Sequence, residues 1–174
     1  LGERKEMEQI TPMLSIEDDK KGAPTFIVET AEKNSGDLEL VTIGPLTNIA
    51  QALDLDAQLS THINKITMMA GASKVQGNVT PAAEFNVWAD PESAAKVFGS
   101  GIPIRMVPLD VCHKTRFGRE HLNDIGSNDH PFCQFVQQSV DPWQKINTNK
   151  DIVDQGLHLY DSLAMALSFL PEIA

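Results

Sequence analysis

Asn78, Glu84 and Asn86 place two carboxamides and one carboxylate in one short stretch, residues 77–90. Amides donate and accept hydrogen bonds and a carboxylate accepts them, so the trio suits a ligand rich in hydroxyl groups. A turn-rich loop with solvated polar groups would use the same residue types. The stretch reads as irregular, too polar for a core strand and broken by Gly77 and Pro81. An apolar run at 65–69, a buried strand in this reading, precedes it. A helix is expected directly after it. Asp90 is a favoured N-cap, Pro91 suits the first helical position, and Glu92 complements the positive helix end. In an α/β sheet, ligands bind in loops at the carboxyl ends of strands.

The elements needed to hold such a loop are legible on both sides of it. Residues 24–33 have helical spacing, with Phe26, Ile27 and Ala31 inward, and Asn34-Ser35-Gly36 stops them. Residues 38–43 form a short apolar strand, broken by Gly44-Pro45. Helix 46–53 follows, with Ile49, Ala50 and Leu53 inward, and then strand 65–69. Helix 91–98 turns Ala94, Ala95 and Phe98 to one side, and strand 104–109 ends before Asp110. This alternation predicts an α/β fold: an open, mostly parallel sheet with helices on both faces. Beyond Asp110 a weak helix is expected at 117–125. A better one runs over 131–143, burying Phe132, Phe135, Val136 and Val140. A loop follows at 145–155, and a strongly apolar helix at 161–170 is built on Leu163, Ala164, Ala166, Leu167 and Leu170.

Composition narrows the function classes. The 174 residues fit one domain with a sizeable core. Twenty-four acidic against 14 basic residues leave a net charge of −10, which disfavours nucleic acid and anionic membranes as partners. No apolar run approaches membrane-spanning length, and no signal peptide is visible. Cys112 and Cys133 form no CxxC pair, which argues against a disulfide scaffold and for a reducing, cytoplasmic setting. Residues 1–21 read as loop. Asp18-Asp19, beside Lys20-Lys21 and with no strand before it, reads as a solvated charge cluster. No G-x-G-x-x-G lies between a strand and a helix, so a dinucleotide-binding domain is disfavoured.

Several motifs, taken in order, resemble one family. They are Ile43-Gly44-Pro45-Leu46-Thr47-Asn48-Ile49-Ala50, Met69-Ala70-Gly71-Ala72, and Gly77-Asn78 with Ala83-Glu84-Phe85-Asn86. Asp90-Pro91-Glu92, Val107-Pro108-Leu109-Asp110, and Tyr160-Asp161 with Leu163-Ala164 complete the set. Their order and spacing resemble the inosine-uridine preferring nucleoside hydrolases over nearly the whole chain. The resemblance implies a Rossmann-like open sheet with the site at its carboxyl edge. It implies hydrolysis of the N-glycosidic bond of ribonucleosides and a calcium ion that holds the attacking water and the ribose diol. It implies a homo-oligomer, dimer or tetramer. By the same resemblance Asn78, Glu84 and Asn86 would bind ribose hydroxyls, and Met69 would pack near the sugar. Met69 alone would otherwise read as a core methionine. Asp161 would be a calcium carboxylate, and Ile43 would offer its backbone carbonyl to the metal.

Two departures from the family pattern stand out. The D-x-D-x-G-x-D-D motif that supplies the other calcium carboxylates and the general base is absent from the chain. The expectation is therefore an incomplete nucleoside hydrolase domain over 1–174, with activity belonging to the complete protein. The rival expectation is a truncated or degenerate relative that binds ribosides, or only associates, without catalysis. In addition, Tyr160 stands where many members carry a leaving-group histidine. A phenol, with an ordinary pKa of about 10, is a poor proton donor near neutrality. His158 lies close in sequence but is expected to point elsewhere. His62, His113, His121 and His130 are expected on surface turns and helices.

Overall fold

Strand β2, Ile63–Met69, is the axis of the sheet. In this computed structural model, which describes residues 22–146 and 157–173, β1 (Leu38–Thr42) and β3 (Ile104–Val107) flank it. All pairings are parallel and the order is β1-β2-β3. Val41, Thr67 and Arg105 lie in register across the three strands, as do Thr42, Met68 and Met106. Side chains alternate across the pleat, so β2 feeds two cores. Ile66 and Met68 join one with Ala31, Leu46, Ile49, Ala52, Leu59, Ala94 and Val97. Met69 joins the other with Val107, Leu109, Cys112, Leu163, Ala164 and Leu167. A parallel sheet covered on both faces is the predicted arrangement, and it explains the nearly unbroken burial of β2. Removing a large side chain at its centre, as in Ile66→Ala, costs about 2–5 kcal/mol.

Helices α1 (Gly22–Lys33), α2 (Thr47–Leu55) and α5 (Pro91–Phe98) cover the first face. Helix α9 (Asp161–Phe169) lies on β2 at the second. Two short helices, α3 (Leu59–His62) and α4 (Phe85–Ala89), went unread in the sequence, and α4 falls inside the stretch read as irregular. The physical reason is local: the Glu84 side chain accepts from the Asn86 and Val87 amides and caps the helix, a device with no periodic signature. Asp90 caps α5 through the Ser93 amide as expected, and it also accepts from the Thr47 hydroxyl, which joins α5 to α2. Strand β3 stops at Val107 rather than reaching Leu109. Pro108 is extended, and Leu109–Cys112 forms α6.

Some predicted apolar faces are rotated. Helix α5 buries Ala94 and Val97, not Ala95 and Phe98. Phe26 of α1 points outward, while Ile27 and Val28 pack inward. Helix α8 (Pro131–Ile146) packs on α7 (Arg119–Gly126), and Phe132 is 66% and Phe135 44% exposed against the expectation of burial. Leu170 lies past the end of α9 and is exposed. The loop expected at 145–155 begins later, since α8 runs to Ile146; its remainder lies outside the described residues. The loop at 1–21, with Asp18-Asp19, lies outside them too. No helix among the described residues is long and apolar enough to cross a membrane.

Candidate functional site

The chain leaves β2 through a turn at Gly71, whose φ of 79° lies in the left-handed region that glycine adopts without strain. The Gly71 amide donates to Glu84 Oε2 at 3.0 Å. Glu84 Oε1 accepts from the Asn86 amide at 2.9 Å, and Oε2 also accepts from the Val87 amide at 3.3 Å. One carboxylate, 2% exposed, thus staples the start of the loop to the start of α4. At Gly77 the loop passes so close to the backbone of Ala83 that any Cβ would collide with it.

The two sequence-predicted asparagines each spend one half of the amide on the scaffold. Asn78 Oδ1 accepts from the Phe85 amide at 2.8 Å. Asn86, 7% exposed, donates from Nδ2 to the Met69 carbonyl at 2.9 Å. These bonds fix the amide orientations. The other half of each amide, a donor on Asn78 and an acceptor on Asn86, has no partner among the described residues. Glu84 accepts three N–H bonds where a carboxylate has about four acceptor sites. A donor, an acceptor and a carboxylate lone pair are what a vicinal diol can meet.

All three residues line one cavity of about 420 Å³. Met69, Ile43, Tyr160 and Asp161 line it as well, so every site residue named from the sequence meets there. Ile43 arrives from the end of β1, Met69 from the end of β2, and Tyr160 and Asp161 from the start of α9. The cavity therefore sits at the carboxyl edge of the sheet, as expected. Phe85, half exposed, also lines it. The sequence reading quoted Phe85 only as part of a motif; its place between Glu84 and Asn86 was the available signal.

Burial pushes the Asp161 carboxyl upward, and the charge of Glu84 adds to the rise. Burial likewise raises the Tyr160 phenol, with Cys112 contributing, so the phenol stays protonated near neutrality. Cys112 itself is pushed up to about 11, mainly by burial and further by Asp161 and Glu84. His158 does not point away from Tyr160. Its ring centroid lies 6.4 Å from that of Tyr160, edge to face, and both approach His113, at 5.4 and 6.4 Å. No sequence signal brought His113 to this cluster.

Two like charges near one cavity suit a cation in sign. The donor count does not suit calcium, which takes six to eight oxygens. The resemblance offers one carboxylate, on Asp161, and one carbonyl, on Ile43. No group of three or more metal-binding side chains occurs among the described residues. These residues alone do not form a calcium cage.

A parallel sheet whose strand-end loops border a cavity lined by carboxamides and carboxylates defines an α/β protein with a polar cavity at the sheet edge, where ligands bind in folds of this class. The chain belongs to the inosine-uridine preferring nucleoside hydrolase family, whose model matches residues 1–174. The pyrimidine-specific ribonucleoside hydrolase RihA of Salmonella schwarzengrund is 34% identical over 151 residues, covering 87% of this chain and 48% of that protein. A solved purine-preferring ribonucleoside hydrolase from Gardnerella vaginalis superposes with a TM-score of 0.80 at 31% identity, over 88% of this chain and 48% of its own. The plant nucleoside hydrolase PpNRh1 superposes with a TM-score of 0.79 at 29% identity, over 86% and 46% respectively. The chain thus spans about half the length of the RihA relative it matches.

Proposed function

We propose that the complete protein hydrolyses the N-glycosidic bond of ribonucleosides to free base and ribose, with the 174-residue chain forming an incomplete nucleoside hydrolase domain. The observation that carries this is the convergence of Ile43, Met69, Asn78, Glu84, Asn86, Tyr160 and Asp161 on one cavity. In the reaction the bond from C1′ to the base nitrogen breaks, water oxygen bonds to C1′, and the departing base takes up a proton. Positive charge builds on the sugar in a transition state of oxocarbenium character, and the carboxylate and amide oxygens of Glu84 and Asn86 favour it. Asn78 and Asn86 orient the ribose with their uncommitted amide halves. Tyr160 offers a hydrogen bond, rather than a proton, toward the leaving base. The relatives named above include a pyrimidine-specific and a purine-preferring enzyme, so both base classes are substrates to test.

Calcium is part of this reading. Asp161 and the Ile43 carbonyl would hold it together with oxygens from outside the described residues, and the ion would supply a water of lowered pKa. A homo-oligomer and a cytoplasmic setting also belong to the proposal; the free thiols of Cys112 and Cys133 are in keeping with the latter. The test is release of reducing sugar from inosine and uridine, by the complete protein and by its Asn86→Ala variant. Loss of a buried hydrogen-bond partner costs about 1–3 kcal/mol, so both specificity constants should fall together. Binding of nucleosides without turnover, or a change in base preference at an intact rate, contradicts the proposal.

A further inference from the structure

Besides Ile43 and Met69 at the strand ends, the cavity has two walls that come from distant parts of the chain. One is the loop from Gly71 to Asn86; the other is the segment that delivers Tyr160 and Asp161. Among the described residues no hydrogen bond joins one wall directly to the other. Both are bonded instead to the chain between Leu109 and Phe117, which contributes nothing to the cavity lining.

Asp110 holds the first wall. Its carboxylate splits between two successive amides, Oδ2 accepting from Ser73 at 2.8 Å and Oδ1 from Lys74 at 2.6 Å. The Leu109 amide donates to the Gly71 carbonyl at 2.9 Å beside them. Thr115 holds the second wall. Its hydroxyl accepts from the Leu159 amide at 3.0 Å. The hydroxyl has one proton, and the Cys112 carbonyl at 2.7 Å is a nearer acceptor for it than the Leu159 carbonyl at 3.2 Å. The Thr115 carbonyl accepts from His158 Nδ1 at 2.8 Å. Phe117 and Leu157 exchange both backbone bonds, at 2.8 and 2.9 Å. Between these two anchors Leu109 and Cys112 are fully buried against Met69, Val107, Leu163 and Ala164, so the connecting turn is packed in place.

We infer that this segment is a bracket that sets the spacing of the two cavity walls, with Asp110 and Thr115 as positioning residues. Neither touches the ligand in this account. Asp110 acts through the loop that carries Asn78, and Thr115 through the residues beside Tyr160 and Asp161. The kinetic part of this inference rests on the ribonucleoside reading above; the geometric part does not. A misplacement of about 1 Å in a reacting constellation can cost on the order of 10²-fold in rate. The two anchors should differ in kind. Loosening the sugar-holding wall weakens ground-state binding and raises KM. Loosening the wall at the reacting bond lowers kcat.

The test compares Asp110→Ala, Thr115→Val and Thr115→Ser, with Lys96→Ala at an exposed ion pair to Asp54 as control. Amide hydrogen exchange is read by NMR on the 174-residue chain, and kcat and KM are read for uridine and inosine on the complete protein. Asp110→Ala should speed exchange at Ser73 and Lys74 alone and raise KM about tenfold. Thr115→Val should speed exchange at Leu159 alone and lower kcat about 10- to 100-fold, with Thr115→Ser restoring both. Unchanged exchange at these amides overturns the bracket. So does a fall of kcat by the same factor in both variants with KM unchanged, which is the mark of general loss of folded protein. If the complete protein turns over neither nucleoside, the hydrolase reading fails. The bracket is then decided by exchange and by whether inosine shifts the Asn78 side-chain amide in the parent but not in the variants.

Discussion

Glu84→Gln isolates the staple on which the sugar loop depends. The substitution keeps the shape of the side chain and removes its charge. In the parent, Oε2 accepts from Gly71 and Val87 and Oε1 from Asn86. A glutamine has one acceptor oxygen, so its NH2 must face at least one of these N–H groups. If the oxygen takes the Oε2 place, the Asn86 amide, at 2.9 Å from Oε1, meets a donor. Glu84 is 2% exposed and its bond from the Asn86 amide is buried, so solvent does not repair the loss. A hydrogen bond to a charged acceptor contributes about 1.5–3 kcal/mol, and the same carboxylate is the N-cap of α4. Against this stands relief of the Glu84 repulsion, which adds to the rise that desolvation mainly causes at Asp161. That gain is small, because Asp161 is exposed and its charge is screened by solvent. The net expectation is a loss of about 2–3 kcal/mol, which for a chain of this size lowers Tm by roughly 5–10 °C. Trp88, on the capped helix, reports the transition by fluorescence in urea or heat. A Glu84→Gln variant as stable as the parent would refute the staple and return Glu84 to a purely ligand-facing role.

Three further expectations follow from the same geometry. The Cys112 thiol, buried and raised to about 11, stays protonated at pH 8 and should resist iodoacetamide, while the partly exposed Cys133 reacts; equal labelling in the folded chain contradicts the burial. Tyr160→His should raise inosine turnover toward acid pH between 5 and 9, by up to about 10²-fold, and His158→Ala should lower it if that ring supplies the proton. No change in either variant would make Tyr160 a packing residue against the base. The 174-residue chain should bind calcium weakly, since Asp161 and the Ile43 carbonyl give it two of the six to eight oxygens it takes; submicromolar affinity by titration calorimetry would show that other groups complete the cage.

The alternation of elements was legible because buried parallel strands and amphipathic helices announce themselves by period. Strands β1 and β2 and helix α5 fall where the pattern put them, and the cavity collects every site residue that the motifs named. The failures share a cause. Helix α4 exists because Glu84 reaches across to Gly71 as well as capping its own turn, a tertiary bond with no local trace. The inward faces of α5 and α8 were misjudged because apolar spacing identifies a stripe but not the partner that covers it. Phe132 and Phe135 have the spacing and remain exposed. Asp110 entered only as the end of a motif and Thr115 not at all, because their partners lie 36 to 44 residues away. His158 was set aside for being two positions from Tyr160. The segment is not helical there, and its backbone pairing with Phe117, with the Leu159 amide on the Thr115 hydroxyl, places both rings beside His113.

The central claim is that the cavity reads the ribose hydroxyls through Asn78, Glu84 and Asn86. The most direct measurement is the ratio of kcat/KM for uridine to that for 2′-deoxyuridine. A site built to pair with a hydroxyl leaves buried polar groups unmatched when that hydroxyl is missing, so the ratio should be on the order of 10² or more. It should collapse toward unity in Asn86→Ala. Equal specificity constants for the two nucleosides in the parent would contradict the claim, and the trio would then be scaffold alone.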